Sequence, residues 1–155
     1  MGYAMDVGKG QKLSASLEDY LEAIFNLADD SGCARSKDIA ATLGVARSSV
    51  TGALQLLREK GLANHEPYSR VTLTRQGREA AREVVRKHDI LTSFFTNVLG
   101  IEKDMAQRAA CQVEHALGAE IIARLLDFID YVAASQEHGR DVVDEFRRFC
   151  EKGKR

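Results

Sequence analysis

The sequence predicts a mainly α-helical protein with a small β-wing, in which an N-terminal winged helix-turn-helix is followed by an all-α domain. Two short segments with the apolar period of a helix meet at Gly44, and this pattern is typical of a helix-turn-helix. Alternating residues on either side of Pro67 then predict a β-hairpin. From Thr74 onward the apolar residues return to the helical period, so we expect helices in the rest of the chain.

The composition is that of a folded protein without a membrane segment. The 155 residues are 45% hydrophobic and 29% charged, which is enough for a core in one domain or two small ones. No apolar run approaches the roughly 20 residues that span a bilayer, and the N-terminus lacks the apolar segment of a signal peptide. The three cysteines, Cys33, Cys111 and Cys150, are odd in number and far apart, which is typical of a reducing compartment. We therefore expect a cytoplasmic protein with no membrane partner.

The net charge of −1 hides an uneven distribution of charge along the chain. Residues 45–87 include nine basic and four acidic residues, whereas residues 88–135 include three basic and seven acidic ones. A basic half in a nearly neutral chain is typical of nucleic-acid binding, so the charges indicate two functional halves.

The first elements are a tail and one helix. Residues 1–15 contain three glycines and predict a flexible N-terminal tail. Ser16 is the expected N-cap of the first helix, with Asp19 at its third position. We place the winged helix-turn-helix DNA-binding domain at residues 16–74.

The helix-turn-helix lies within SKDIAATLGVARSSVTGALQLLREKGL, and its second helix opens with a polar run. Serine hydroxyls at a helix N-terminus suit phosphate oxygens, whereas arginine and glutamine side chains read base edges. Gly52 costs about 1 kcal/mol relative to alanine in mid-helix, and close approach to the DNA backbone is one reason for it. We expect DNA contacts from the outer face of this helix and from the hairpin tip, at Arg47, Ser48, Ser49, Thr51, Gln55 and Arg70. A solvated surface is the alternative for each.

The second domain, residues 75–155, is predicted to contain four helices. Thr74 is the expected N-cap of a long helix that runs to Val98, and the third helix is expected from Gly118 to Ala134. This third helix is too apolar for a peripheral helix, so we expect its stripe to pair with a second copy of the chain. The stripe consists of Ile121, Ile122, Leu125, Leu126, Ile129 and Val132.

The segment CQVEHALG, residues 111–118, carries the clearest chemical signal. Cys111, Glu114 and His115 are three and four residues apart, so on a helix they project from one side, opposite the apolar residues of the same segment. Thiolate, carboxylate and imidazole are the three common metal ligands of proteins. The trio therefore predicts a metal site, and a coincidental polar surface is the alternative.

Two further groups have plain alternatives when each is taken alone. Asp19 and Glu22 are three residues apart on the first helix, where a capping carboxylate and a solvated charge would explain them. His88 falls in the apolar stripe of the long helix, where a core histidine with one hydrogen bond would explain it. A metal site needs ligands from several elements, and the joint occurrence of these groups favours one.

Four stretches, in this order, resemble the diphtheria toxin repressor family of metal-dependent transcription regulators. They are LEDYLEAIF in the first helix, the helix-turn-helix, RKHDIL around His88, and CQVEHAL. The resemblance covers residues 14 to about 135. It implies that residues 75–155 form a helical metal-binding and dimerisation domain.

The resemblance also implies six metal ligands, which are Asp19, Glu22, His88, Cys111, Glu114 and His115. Asp19 and the two-domain length match the manganese transport regulator branch, whereas Cys111 matches the iron branch. Thr92 and Gln107 stand where the iron branch has a carboxylate and a histidine of an ancillary site, so we do not expect that site in its iron-branch form.

The ligand set favours iron. Hard carboxylates suit Fe²⁺ and Mn²⁺ alike, while a thiolate favours Fe²⁺ or Zn²⁺ over Mn²⁺. We expect Fe²⁺ first, Mn²⁺ second and Zn²⁺ third, with no organic cofactor. Because the implied ligands come from both domains, we expect metal to cross-link them and to fix a homodimer for a double-stranded DNA operator, as in a repressor of metal-uptake genes.

Other functions stay open on the sequence. A winged-helix regulator without metal control would share the basic half but would leave the six ligand positions unexplained, and a Zn²⁺-responsive regulator is a further alternative. An enzyme would use Cys111 as nucleophile and His115 as base, yet nothing near Cys111 supplies an oxyanion hole or a glycine-rich turn. We therefore expect no enzymatic activity.

Overall fold

A computed structural model describes residues 13–66, 70–138 and 141–153. Across these residues the chain forms seven α-helices, one π-helical turn and three short strands. It divides into two compact units between Arg78 and Glu79. Most of the predicted tail, residues 1–12, lies outside the described residues. None of the described helices has the length and hydropathy that a membrane span requires.

The first helix, α1 (Ala15–Leu27), begins two residues before the predicted start. Ser14 is its N-cap, because the backbone N–H of Leu17 donates to Ser14 Oγ at 3.3 Å. The prediction of Ser16 as the cap is therefore wrong, and Ser16 lies inside the first turn. The buried face of α1 consists of Leu17, Tyr20, Leu21, Ala23 and Ile24.

The predicted helix-turn-helix is confirmed as α2 (Ser36–Leu43) and α3 (Arg47–Glu59). Gly44 ends α2 in the left-handed conformation, with φ of 64°, and its N–H donates to carbonyl oxygens of the last turn. A residue without Cβ takes this conformation at no steric cost, which explains the glycine.

Three antiparallel strands complete the winged helix, in the order β1 (Cys33–Arg35), β3 (Arg70–Leu73) and β2 (Ala63–Glu66). The predicted hairpin corresponds to β2 and β3, and its turn, residues 67–69, lies outside the described residues. The sequence did not predict β1, which pairs Ala34 with Val71. Both of these side chains are buried, so β1 joins the sheet to the core of the first unit.

One face of α3 packs into the core of the first unit. The fully buried large side chains of this core come from three helices and β3, and they are Leu21, Ile24, Ile39, Val50, Leu54, Leu57 and Val71. Three of them belong to α3, so this helix is fixed to the unit while its other face is exposed.

The second unit is all-helical, as predicted. It contains most of α4 (Arg75–Ser93), a π-helical turn (Phe94–Val98), α5 (Lys103–Val113), α6 (Ala119–Glu137) and α7 (Val142–Lys152). Thr74 caps α4 as predicted, because its Oγ1 accepts from the Gly77 N–H at 3.0 Å. The predicted long helix extends to Val98, but its last turn is π-helical.

The core of the second unit uses much of the α6 stripe. Ile90, Leu91, Ala110 and Ile122 form its buried cluster, and Leu125, Leu126 and Ile129 pack against that cluster. The prediction that the whole stripe faces a second copy is therefore wrong for Ile122 and Val132, which are each 7% exposed within one chain. Ile121 is different, because it is 50% exposed. The predicted fold class, winged helix-turn-helix followed by an all-α domain, is confirmed.

Candidate metal centre and DNA-binding face

Glu114 lies at the centre of a cluster of metal-ligating side chains in the second unit. It is the C-cap residue of α5, its N–H donates to the Ala110 carbonyl at 3.0 Å, and it is completely buried. Its Oε2 lies 2.8 Å from Nδ1 of His88, and its Oε1 lies 3.4 Å from Nε2 of His115. Cys111 offers a sulfur within 4.8 Å of a Glu114 carboxylate oxygen. The structure thus brings all four predicted ligands of this unit together.

The burial of Glu114 differs from the sequence-based expectation. The trio was expected on a polar side opposite the apolar residues, and Cys111 is exposed accordingly, but Glu114 is the one charged side chain among the buried residues described. Glu114 keeps helical backbone angles, with φ of −57° and ψ of −34°, so it still projects from the side that carries Cys111. His88 and His115 lie against its carboxylate on that side. The side that the trio shares is therefore buried at Glu114 rather than exposed.

The cluster fits a cation. Among the described residues, Oε1 of Glu114 is a buried oxygen that accepts no hydrogen bond, and the 3.4 Å separation from His115 is long for one. A buried carboxylate with an unsatisfied oxygen costs free energy unless a positive charge compensates it. Two imidazoles, a thiol and a carboxylate are donors that Fe²⁺, Mn²⁺ or Zn²⁺ accept.

The two remaining predicted ligands, Asp19 and Glu22, belong to the first unit. They lie one turn apart on α1, and both are half-buried. Tyr20 lies between them in sequence and is buried, and this burial raises the pKa of its hydroxyl. The negative charge of Asp19 raises the Tyr20 pKa further.

The predicted DNA-contacting residues of α3 lie on its exposed face. Val50, Leu54 and Leu57 on the other face are fully buried. The exposed residues are Arg47, Ser48, Ser49, Thr51 and Gln55. Thr51 Oγ1 donates to the Arg47 carbonyl at 3.1 Å, and Gln55 Nε2 donates to Glu59 at 3.1 Å. A polar face on a helix that is anchored by its opposite side is suited to insertion into a DNA groove.

Arg70, the sixth predicted DNA residue, begins β3 and is exposed. Its guanidinium donates to Ser31 Oγ at 3.4 Å. Ser31 in turn donates from Oγ to Asp29 at 2.6 Å, and the same Asp29 oxygen accepts from the N–H groups of Ser31 and Cys33. These hydrogen bonds hold the pKa of Asp29 below its ordinary value, and the positive charge of Arg70 adds to them. These contacts of Asp29 were not predicted from the sequence, although an Asp two residues before a Ser is a signal for such a turn.

Two family models match the chain. The iron dependent repressor N-terminal DNA binding domain matches residues 12–71, and the iron dependent repressor metal binding and dimerisation domain matches residues 74–143. An uncharacterized HTH-type transcriptional regulator of Methanocaldococcus jannaschii is 35% identical over 119 residues, which are 76% of this chain and 95% of that protein.

Solved structures are similar as well. T. acidophilum IdeR has a TM-score of 0.66 and 29% identity, over 73% of this chain and 53% of that chain. A manganese-dependent transcriptional repressor in complex with manganese has a TM-score of 0.62 and 33% identity, over 70% of this chain and 50% of that chain. The chain therefore spans about half the length of these two structures. The matches confirm the resemblance found in the sequence: the chain belongs to the iron-dependent repressor family.

Proposed function

We propose that the chain is a metal-dependent transcriptional repressor that binds a double-stranded DNA operator as a homodimer in the cytoplasm. Residues 16–74 would bind DNA, and residues 75–155 would bind metal and dimerise. The observation that carries the proposal is the fully buried Glu114 carboxylate, with His88 at 2.8 Å and one oxygen without a hydrogen bond in the described residues. A buried carboxylate of this kind is stabilised by a cation. The DNA-binding part of the proposal rests on the family to which the chain belongs.

The proposed ligands are Asp19, Glu22, His88, Cys111, Glu114 and His115. His88 and His115 can each offer a neutral nitrogen, and the carboxylates supply the negative charge that compensates a divalent ion. Since α1 contributes two of these residues and the second unit four, occupancy of the site would restrain both units together. Dimeric helix-turn-helix proteins need their recognition helices about 34 Å apart, so such a restraint raises DNA affinity without a new DNA contact.

We propose Fe²⁺ as the preferred metal, with Mn²⁺ and Zn²⁺ as competitors. The reason is the donor set, because the thiolate of Cys111 is a soft ligand that Mn²⁺ accepts less readily than Fe²⁺ does. The carboxylates favour a coordination number above that of a closed tetrahedral zinc site. We further propose that the chain has no enzymatic activity, which an assay for turnover in the presence of a chelator would test.

The proposed function is tested by the metal dependence of DNA binding. A duplex is first enriched from a random library by the wild-type protein in excess Mn²⁺, and its affinity is then measured by fluorescence anisotropy with Fe²⁺ under anaerobic conditions, Mn²⁺, Zn²⁺ or chelator. At about 100 times its dissociation constant, a metal that binds only the competent state tightens DNA binding roughly a hundredfold. Equal affinity with metal and with chelator would reject metal control.

Three variants sharpen this experiment. Glu114→Gln removes the buried charge and is expected to abolish metal stimulation, whereas Glu120→Gln, an exposed position on α6, is expected to retain it. Cys111→Glu replaces the soft ligand by a hard one, so the ratio of the Fe²⁺ to the Mn²⁺ midpoint is expected to rise about tenfold, or ~1.4 kcal/mol. An unchanged ratio would reject the iron assignment and leave metal control intact.

A further inference from the structure

The C-terminal end of α3 has a closed turn that fixes the next two residues to the helix. Gly61 has a φ of 69°, its N–H donates to the Arg58 carbonyl at 2.9 Å, and the N–H of Leu62 donates to the Leu57 carbonyl at 2.8 Å. This is the pair of bonds of a Schellman motif. Gly61 and the buried Leu62 therefore move with α3 as one body.

The N-terminal end of α4 is attached to these same two residues. The N–H of Thr74 donates to the Leu62 carbonyl at 3.0 Å, and Thr74 Oγ1 donates to the Gly61 carbonyl at 2.7 Å. The same hydroxyl oxygen accepts from the Gly77 N–H at 3.0 Å. Thr74 thus caps α4 and bonds α4 to the end of α3.

Gly77 brings the two backbones into direct contact. A Cβ at this position would lie 2.7 Å from the carbonyl carbon of Leu62 and closer still to its carbonyl oxygen. Because both obstacles are backbone atoms, no side-chain rotation relieves the collision. Any larger residue must therefore move α4 away from the end of α3. We call the contact of Gly61 and Leu62 with Thr74 and Gly77 the α3–α4 joint.

The helix that starts at this joint also carries a proposed metal ligand. α4 is one α-helix from Arg75 to Ser93, and His88 lies on it. A helix resists bending because its backbone hydrogen bonds run along its length. A restraint applied at His88 is therefore passed to the start of α4, and the joint passes it to α3.

We propose that the α3–α4 joint transmits metal occupancy to the DNA-binding helix, with Thr74 and Gly77 as its positioning residues. The proposal rests on the proposed function, in that it requires metal-dependent DNA binding. Neither residue needs to touch DNA or metal. They act by fixing the direction of α3 relative to the start of α4.

Gly77→Ala tests the joint. The readout is metal stimulation, the ratio of the DNA dissociation constant in chelator to that in saturating Mn²⁺, with the duplex enriched by the wild-type protein. We expect this ratio to fall about tenfold in the variant. The affinity for Mn²⁺ alone, measured by calorimetry, and the DNA affinity in chelator are expected to stay at wild-type values. A variant that was merely unstable would lose all three.

Two further variants make the result decisive. Thr74→Val removes the hydroxyl bonds to Gly61 and Gly77 without adding volume, and it is expected to lower the same ratio. Gly153→Ala is the matched control, since a Cβ there meets only ordinary contacts of 3.7 and 3.8 Å. Circular dichroism shows whether Gly77→Ala folds. If it folds, metal stimulation at the wild-type level in this variant overturns the proposal. If it does not fold, metal stimulation at the wild-type level in Thr74→Val overturns it. A wild-type protein without metal stimulation would instead overturn the proposed function.

Discussion

At the scale of single residues, Glu114 is the side chain on which the proposed metal site depends most. The spacing of Cys111, Glu114 and His115 predicted a cluster, and the structure places Glu114 beside both His88 and His115. Its complete burial was not predictable, because it depends on side chains from distant parts of the chain, such as His88, which lies 26 residues earlier. Periodicity assigns a residue to a face of its helix, but it does not predict which other elements cover that face.

The Asp29 carboxylate gives a pH-dependent prediction. Its pKa in the folded protein lies below the ordinary value of 3.8, because it accepts hydrogen bonds from Ser31 and Cys33. A lowered carboxyl pKa stabilises the folded state above the unfolded-state pKa, and that contribution disappears as the pH falls through the folded-state pKa. Asp29→Asn is therefore expected to be less stable than the wild type at neutral pH, with a difference that shrinks below about pH 4.

Chemical denaturation of the wild type and Asp29→Asn across this pH range measures the effect, and an NMR titration of the Asp29 carboxyl carbon gives its pKa directly. Asp30→Asn, at the adjacent exposed position, serves as the control and is expected to behave as the wild type. A stability difference between wild type and Asp29→Asn that is independent of pH would contradict the assignment of these hydrogen bonds.

At the scale of elements, the helices were predictable and one strand was not. Helical periods and glycine stops located α2, α3 and α4 well, whereas the start of α1 was misplaced because Ser14 and Ser16 are both competent caps. β1 has only three residues, Cys33–Arg35, and it is a strand because β3 lies beside it. So short a segment has no period of its own, so its pairing is decided by the tertiary structure.

Two glycines of the helix-turn-helix are expected to respond in opposite ways to alanine. Gly44 has a φ of 64°, so Gly44→Ala is expected to destabilise the protein by about 1 kcal/mol. Gly52 lies inside α3 with open space around a Cβ, so Gly52→Ala is expected to stabilise it by up to about 1 kcal/mol. Thermal unfolding gives both values.

DNA binding by Gly52→Ala then tests the role suggested for that glycine. If the DNA backbone approaches Gly52 closely, the more stable variant binds DNA less tightly. Unchanged DNA affinity would show that close approach of DNA is not the reason for a glycine at this position. Gly44→Ala provides the comparison, because it changes stability without adding a group to the exposed face of α3.

At the scale of the whole molecule, the charge division in the sequence follows the two matched domains only in part. The acidic segment, residues 88–135, falls within the matched metal-binding and dimerisation domain. The basic segment, residues 45–87, includes α3 in the matched DNA-binding domain, but five of its nine basic residues lie after residue 74, on α4. The sequence also predicted an apolar surface on α6, but it did not distinguish core from surface. That distinction depends on the packing of α6 against α4 and α5.

The exposed part of α6 gives a prediction about dimerisation. Ile121 is 50% exposed, and the family model for this region describes a dimerisation domain. If this side chain is buried against a second copy, Ile121→Asp is expected to weaken dimerisation about tenfold or more, since it replaces a buried apolar side chain by a charge. Sedimentation equilibrium measures the dissociation constant. Ala123→Asp, at an exposed position of the same helix, is the control, and equal dissociation constants for both variants would place the interface elsewhere.

The end of α5 at Val113 also sets the electrostatics of the proposed metal site. Peptide dipoles align along a helix, so its carboxyl end carries partial negative charge on carbonyl oxygens that have no partner within the helix. Cys111 lies in the last turn of α5 and Glu114 is its C-cap, so a cation held by them would sit at this end. The backbone would then add about 0.3–1 kcal/mol of attraction for any divalent ion, whatever side chains select among metals. The helix end would thus contribute to the affinity for any cation, while the side chains would determine which metal is preferred.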